Sequence, residues 1–274
     1  MALFQLLLAF GLGLAPFQAP KSRHVVHAPP PELGVQSAPS DFVDDFDDSG
    51  DEPSLGTIDV SKGYVDVTFV AEGYAGTKGM AQFLSDAKTY REYLLTYEPF
   101  RSNANAFRFH AVENEESLGC GRAASIPRLI TCDVSKAKRA AKKAGVPFDK
   151  IVVIVNDADY GGSGGEISVT YNGRRGDRVF VHEFGHSFGR LKDEYVAYDG
   201  DGEIDGKPHA NCFAGKPPAS EWDGTREADY RLGCTYRNWY RSSPGSLMLT
   251  LDETYFNEVS KQLLKRAIDA YSGR

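Results

Sequence analysis

The sequence predicts an α/β fold, because strand patterns and helix patterns alternate along the middle of the chain. Residues 64–70 alternate between apolar and polar side chains, which is typical of a strand with one buried face. Residues 151–155 form the continuous apolar run IVVIV, which is typical of a strand buried on both faces. Apolar residues recur at helical spacing between and after these strands. We therefore expect a twisted, mixed β-sheet packed against helices.

The remaining elements are predicted in order along the chain. Thr77 is expected to cap a first helix that is stopped by Pro99 and buries one stripe of residues, namely Met80, Phe83, Leu84, Ala87 and Leu94. A second strand covers residues 107–111, and a basic helix covers residues 134–143. The glycine-rich loop 160–165 is expected to be a flexible rim, and a short strand through Ile167 follows it. An irregular region after residue 195 precedes a terminal helix through Phe256, Val259, Leu263, Ala267 and Tyr271.

The helix after the short strand contains HEFGH, an H-E-x-x-H motif at residues 182–186. Helix positions four residues apart lie on the same face, so His182 and His186 can direct ring nitrogens at one Zn²⁺ ion. Glu183 lies about 100° around the helix, from where its carboxylate can act on a metal-bound water. The motif therefore predicts a zinc centre in which Glu183 is the general base.

The residues around the motif predict how this helix is placed. Asp177 is expected to be its N-cap, and Phe180, Phe184 and Phe188 form an apolar face opposite the histidines. Gly185 and Gly189 are expected to leave room for metal and substrate, and Gly189 is also expected to end the helix in a left-handed conformation. The chain reversal after this glycine brings back a carboxylate as third ligand, either Asp193 or Glu194.

The first 54 residues differ in composition from the rest of the chain. Residues 1–19 are mainly apolar and are expected to be a signal peptide, so the protein is predicted to be secreted or periplasmic. Residues 20–54 are rich in proline and acidic residues and read as a linker or a short pro-segment. They contain eight acidic and two basic residues and therefore most of the net charge of -7. Residues 55–274 are left as the catalytic domain, near neutral, with no nucleic-acid footprint and no membrane span expected.

Four cysteines are present in the predicted domain. Three disulfide connectivities are possible, and sequence proximity favours Cys120–Cys132 and Cys212–Cys234. The alternative is a cysteine-rich zinc site, although no C-x-x-C spacing occurs. Structural disulfides are the preferred interpretation in an exported protein.

Acidic residues alternate with small residues shortly after the zinc motif, at Asp199, Asp201, Glu203 and Asp205. The pattern weakly resembles a calcium loop, but Ile204 replaces the expected glycine and no glutamate stands at the twelfth position. A solvated acidic loop is the alternative to a Ca²⁺ site.

Four segments together resemble the immunoglobulin-A metallopeptidase-like family, a group of metzincin-type zinc peptidases. They are residues 65–74, 151–165, 182–195 and 238–248. The resemblance implies a zincin-type catalytic domain with a methionine turn beneath the metal, for which Met248 is the candidate. The usual third metzincin ligand would fall on Lys192, which is a cation, so the neighbouring Asp193 is favoured over Glu194.

The function expected from motif and resemblance is that of a secreted zinc endopeptidase acting on proteins or peptides. Tyr195 and Tyr240 are candidates for stabilising the oxyanion, and the strand around Ile167 is a candidate for pairing with an extended substrate. A non-catalytic zinc-bearing binding module and a zinc hydrolase of non-peptide amides are the alternatives.

Overall fold

A five-stranded mixed sheet lies at the centre of the computed structural model, which describes residues 62–215, 222, 225 and 228–273. The first half contains β1 (Val65–Glu72), α1 (Gly76–Leu94), a 3₁₀ helix (Arg101–Ala106), β2 (Phe107–Val112), β3 (Gly121–Arg122), β4 (Ile130–Thr131) and α2 (Val134–Lys143). The second half contains β5 (Lys150–Val155), β6 (Gly162–Gly164), β7 (Ser168–Tyr171), α3 (Gly176–Gly189), β8 (Pro208–His209), β9 (Cys212–Phe213), β10 (Arg231–Cys234), β11 (Tyr236–Arg241) and α4 (Glu258–Ser272).

The strand order of this sheet is β2-β1-β5-β7-β6, and only the edge strand β6 is antiparallel to its neighbour. The predicted α/β class and mixed sheet are therefore confirmed. The prediction that β1 has one buried face is wrong, because all eight of its side chains are buried. The polar side chains of β1 form hydrogen bonds within the protein. Asp66 accepts from Lys62 Nζ at 2.7 Å, and Thr68 donates to the carbonyl of Pro147 at 2.6 Å.

The first helix begins one residue earlier than its predicted cap. Ala75 is the N-cap of α1, and Thr77 lies inside the first turn. The carboxylate of Glu115 accepts from the backbone N–H of Gly76 at 3.0 Å, so a distant side chain satisfies a free donor at the helix start. Leu84, predicted to be in the buried stripe, is instead 43% exposed.

The apolar face predicted for the metal helix α3 is confirmed. Phe180, Phe184 and Phe188 are all buried and belong to the main core, where rings from α1, β1 and the segment before β2 surround them. The rings of Phe184 and Phe188 stack with centroids 5.1 Å apart. Because three aromatic anchors fix the rotation of α3 about its axis, the opposite face of the helix is also fixed in direction.

Both ends of α3 differ from the prediction. The N-cap is Arg175 at φ +70°, whereas Asp177 lies in the first turn and accepts from the N–H of Arg178 at 2.8 Å. At the other end Arg190, not Gly189, is the left-handed residue, at φ +52°. Gly189 is required for packing, since a Cβ there would lie 2.5 Å from a methyl carbon of Leu264 in α4.

The region after α3 is irregular, as predicted, but it contains a small antiparallel sheet of order β10-β11-β9-β8. The chain closes with α4, whose N-cap Asn257 accepts from the N–H of Ser260 at 2.9 Å. Both predicted disulfides are present, Cys120–Cys132 and Cys212–Cys234. No helix in the described ranges is both long and apolar enough to span a bilayer. The predicted signal peptide (1–19) and linker or pro-segment (20–54) lie outside the described residues.

Lys150 is a half-buried cation that lies against α3. The Nζ of Lys150 donates to the carbonyl of Ser187 at 2.7 Å, and burial, with the charge of Arg190 adding to it, lowers the pKa of Lys150 from 10.5 to about 8. Above pH 8 the folded protein releases this proton while the unfolded chain keeps it. We therefore expect the stability of the wild type to rise relative to that of Lys150→Met as pH increases from about 8 toward 10.5.

Urea unfolding of both proteins between about pH 7 and pH 10 measures this difference. Lys88→Met is the matched control, because the Lys88 side chain is 70% exposed. A difference between wild type and Lys150→Met that does not change with pH would contradict the assignment.

Candidate metal centre

The two motif histidines present their Nε2 atoms to the same point. The Nδ1 of His182 lies 3.0 Å from the carbonyl oxygen of Leu247, and the Nδ1 of His186 lies 2.5 Å from that of Leu191. A carbonyl oxygen only accepts, so each Nδ1 carries the proton and each Nε2 keeps its lone pair. The two Nε2 atoms are 3.1 Å apart.

The carboxylate of Asp193 completes a triangle with the histidines. Its Oδ1 lies 3.1 Å from His182 Nε2 and 3.3 Å from His186 Nε2. Two ligands bonded to one zinc ion at about 2.0–2.1 Å and tetrahedral angles are about 3.3–3.4 Å apart. Oδ1 is also buried without a conventional hydrogen-bond partner. The donor set and its spacing therefore fit a zinc ion.

The charges in this cluster are strongly coupled. Burial acts to raise the pKa of the Asp193 carboxyl, but the two nearby imidazoles of His186 and His182 outweigh burial and hold that pKa well below its ordinary value. Burial acts to lower the pKa of His186, but the Asp193 carboxylate outweighs it and raises that pKa to about 9. The site therefore favours a positive charge between these groups, which is what a metal ion provides.

Glu194, the alternative third ligand, faces away from the histidines. Its side chain is fully buried, and its Oε1 accepts from Asn211 at 2.9 Å, from Asn257 at 2.6 Å and from Ser260 at 3.3 Å. Burial raises the pKa of this carboxyl. The structure brings Asp193, and not Glu194, to the two imidazoles.

Asn211 holds the backbone of the segment that carries both acidic residues. Its Oδ1 accepts from the N–H of Lys192 at 2.7 Å, and its Nδ2 donates to the Lys192 carbonyl at 3.0 Å and to the Glu194 carboxylate. Lys192, the position of the usual third ligand, has its ammonium 6.0 Å from the ring of Trp239. Sequence analysis missed Asn211, and no local pattern marks this residue.

A disulfide connects the two chain segments that contact the Asp193 backbone. The hydroxyl of Thr235 donates to the Asp193 carbonyl at 2.9 Å, and Thr235 directly follows Cys234. Asn211 directly precedes Cys212. Because Cys212 and Cys234 are bonded, the two supports on either side of the proposed ligand are covalently tied.

Met248 lies directly against the metal helix. A Cβ on Gly185 would be 2.9 Å from the sulfur of Met248, which is fully buried. The preceding residue, Leu247, supplies the carbonyl that orients His182. The prediction that Gly185 and Gly189 leave room for metal and substrate is wrong, because both glycines make room for protein side chains instead.

The carboxylate of Glu183 lies between α3 and the glycine-rich edge strand β6. One ligand atom from each of His182, Glu183 and His186 lies within 4.8 Å of the others. A Cβ on Gly162 would be 3.1 Å from Glu183 Oε1, and one on Gly164 would be 3.2 Å from Oε2. Burial raises the pKa of Glu183. The loop predicted as a flexible rim is therefore in part a strand packed on the site.

The two candidate tyrosines have different positions. Burial raises the pKa of the Tyr195 hydroxyl, and the nearby charges of Asp193 and Glu183 contribute, so this hydroxyl lies in the site. Tyr240 instead pairs with Phe213 across β11 and β9 and packs beside Tyr230 in an aromatic cluster. Tyr160, which sequence analysis did not single out, is also close, because Glu183 and Asp193 both influence its pKa after burial.

The predicted calcium site is unsupported. The Asp199 carboxylate pairs with Arg237, and that of Asp205 pairs with His209 at 3.0 Å. Within the part of the chain that the structure describes, the group of close metal-ligand atoms contains His182, Glu183 and His186 and none of the four acidic residues of the predicted calcium site.

Residues 122–239 match a protein-family model described as IgA Peptidase M64. The matched segment contains the three motif residues, Asp193 and Asn211, and it ends before Met248. The match confirms the predicted family resemblance. A search of curated proteins found no match to this chain.

Adjacent carboxylates allow a direct test of the third ligand. Asp193→Ala removes an oxygen from the triangle, so we expect zinc affinity to fall by more than about a hundredfold. Glu194→Gln keeps an acceptor oxygen for Asn211 and Asn257, and we expect a loss of less than about tenfold. Competition with a chromogenic zinc chelator measures both. The reverse order of the two losses would assign the ligand to Glu194.

Two neighbouring glycines test the close packing of β6 on α3. A Cβ on Gly164 would lie 2.5 Å from the Cβ of His186 and 2.6 Å from the carbonyl of Glu183, whereas one on Gly165 would meet no atom within 4 Å. We expect Gly164→Ala to cost about 1–3 kcal/mol in urea unfolding. Gly165→Ala should change stability by less than about 0.5 kcal/mol. Equal effects of the two variants would mean that β6 is not packed as described.

Proposed function

We propose that this chain, whose residues 122–239 match the IgA Peptidase M64 family model, is a secreted, zinc-dependent endopeptidase with Glu183 as general base. The observation that carries the proposal is the triangle of His182 Nε2, His186 Nε2 and Asp193 Oδ1, with sides of 3.1, 3.1 and 3.3 Å. Three protein ligands and a free fourth position are typical of catalytic zinc sites.

The proposed ligands are His182, His186 and Asp193. A bound zinc ion would lower the pKa of water and polarise the scissile carbonyl group. The protein supplies orientation: Leu247 and Leu191 accept from the Nδ1 atoms, which keeps both rings in the tautomer with a free Nε2. This support is already in place in the folded chain.

Glu183 is suited to move the proton. Its carboxylate lies beside both imidazoles without being needed as a ligand. Burial raises its pKa, which brings the group closer to the range in which a base can both accept and return a proton near neutrality. We propose that it takes the proton of the attacking water and then delivers it to the leaving amine.

Tyr195 is the stronger candidate for stabilising the oxyanion. Its hydroxyl lies close enough to Asp193 and Glu183 for both charges to influence its pKa. A raised pKa keeps the phenol protonated, so it can donate to developing negative charge. Tyr240 is not proposed for this role, because it packs in the aromatic cluster described above.

The substrate cannot pair with β7 as the sequence analysis expected. That strand lies between β5 and β6, so both of its edges are already bonded, and Ile167 itself precedes it. Strand β6 is the edge nearest Glu183, and Leu129 bridges to its first residue, Gly162. We propose that an extended peptide would bind along residues 128–130 and β6.

A zincin-type catalytic domain covering residues 55–274 and an extracellular or periplasmic location belong to the same proposal. The placement of Met248 beneath α3, where a Cβ at Gly185 would touch its sulfur, supports the zincin arrangement. Two disulfides support export, because such bonds persist in oxidising compartments.

The Glu183→Gln variant tests the general base. The amide preserves size but cannot accept the proton, so we expect zinc binding to persist and peptide cleavage to fall by about a hundred- to ten-thousandfold. Zinc content and cleavage of casein or a peptide library are measured on the wild type and the variant in parallel.

Three results would contradict the proposal in different ways. Full cleavage by Glu183→Gln would remove this residue from the mechanism while leaving a peptidase. Zinc binding without cleavage by the wild type would favour a non-catalytic binding module. Turnover of a non-peptide amide alone would favour a zinc hydrolase of such amides.

A further inference from the structure

Arg128 carries a positive charge and lies on the loop that bridges to β6. The residue is exposed, and its side chain forms no hydrogen bond or ion pair with any residue in the described ranges. Other cations near this surface are engaged, since Arg122 pairs with Asp157 and Arg175 pairs with Asp252. The guanidinium of Arg128 is therefore available to a ligand.

The loop that carries Arg128 is held firmly. The disulfide Cys120–Cys132 closes it, and strands β3 and β4 pair across its base. Within the loop, the Arg122 guanidinium donates to the carbonyls of Pro127 at 2.7 Å and Tyr160 at 2.9 Å. These bonds fix the loop against the segment that leads into β6, so Arg128 extends from a preformed support.

One residue connects this loop to the proposed general base. The N–H of Gly162 donates to the carbonyl of Arg128 at 3.0 Å, and a Cβ on the same glycine would lie 3.1 Å from Glu183 Oε1. The side chain of Tyr160 is half-exposed. Burial raises the pKa of its hydroxyl, the charge of Glu183 raises this pKa further, and the charge of Arg128 lowers it. Arg128 thus lies close to the proposed general base, Glu183.

We propose that Arg128 binds a carboxylate of the peptide substrate next to the scissile bond, so that the enzyme prefers an acidic residue or a free C-terminus there. This inference rests on the proposed peptidase function. Arginine presents a planar fork of donors that matches a carboxylate. On a rim, such a charge also steers an acidic substrate toward the cleft, and added salt weakens the effect.

The test begins with a peptide library that locates a cleaved, uncharged sequence. Glu then replaces Gln at each position around its scissile bond in C-terminally amidated peptides, and a second series compares free and amidated C-termini. For the wild type we expect one acidic position or the free C-terminus to raise kcat/KM about five- to tenfold. The two series separate a side-chain carboxylate from a terminal one.

Three variants locate the preference in the protein. We expect Arg128→Gln to abolish it and Arg128→Glu to reverse it in favour of lysine-containing peptides, each measured as the ratio of kcat/KM for the charged and the uncharged peptide on the same variant. Arg266→Glu, an equal charge change at an exposed position of α4, should keep the preference. Raising salt from about 0.05 M to about 0.5 M should reduce the wild-type ratio.

Different failures have different meanings. Cleavage of uncharged peptides with no acidic preference, or a preference that survives in Arg128→Glu, would overturn the role of Arg128 and leave the peptidase intact. Cleavage of no peptide at all would overturn the proposed function. In that case calorimetry on zinc-loaded Glu183→Gln tests the inference separately: an uncharged peptide of arbitrary sequence is compared with its counterparts that carry Glu or a free C-terminus, and equal affinities would reject the inference.

Discussion

The close approach of one carboxylate to two imidazoles is the interaction on which the site depends. The Asp193 oxygen and two histidine nitrogens lie within 3.3 Å of one another inside the protein, and the carboxylate of Glu183 is close by. Two buried carboxylates repel each other and lose hydration, so this arrangement is stable only with positive charge among them. A divalent cation held by the three side chains would supply that charge.

The region after α3 supports the candidate metal centre directly. The buried carboxylate of Glu194 gathers donors from Asn211 and from Asn257 at the start of α4. A buried carboxylate without such donors would cost several kcal/mol. The same network fixes the direction of the neighbouring Asp193. The packing of α4 therefore affects the position of the proposed ligand Asp193, because Glu194, the next residue, is hydrogen-bonded to the start of α4.

The opposite wall of the cleft has its own support. Strand β6 approaches α3 so closely that Gly162 and Gly164 have no space for a side chain, and this contact places backbone directly beside Glu183. A disulfide-closed loop then covers part of the outer edge of β6 and carries Arg128. One disulfide thus supports the segment of the proposed ligand Asp193, and the other closes the loop that carries Arg128.

By itself, the sequence determined the features that depend on local periodicity. The histidine pair, the intervening glutamate and the phenylalanine face of α3 follow from helix geometry, and the mixed α/β order follows from alternating strand and helix patterns. The tertiary structure decided what depends on distant residues. Asp193 and Glu194 are adjacent in sequence, and the amides of Asn211 and Asn257 from distant segments bind Glu194, which leaves Asp193 to face the histidines. Likewise, Arg128 lies 55 positions before Glu183, and only the pairing of its loop with β6 brings the two to one cleft.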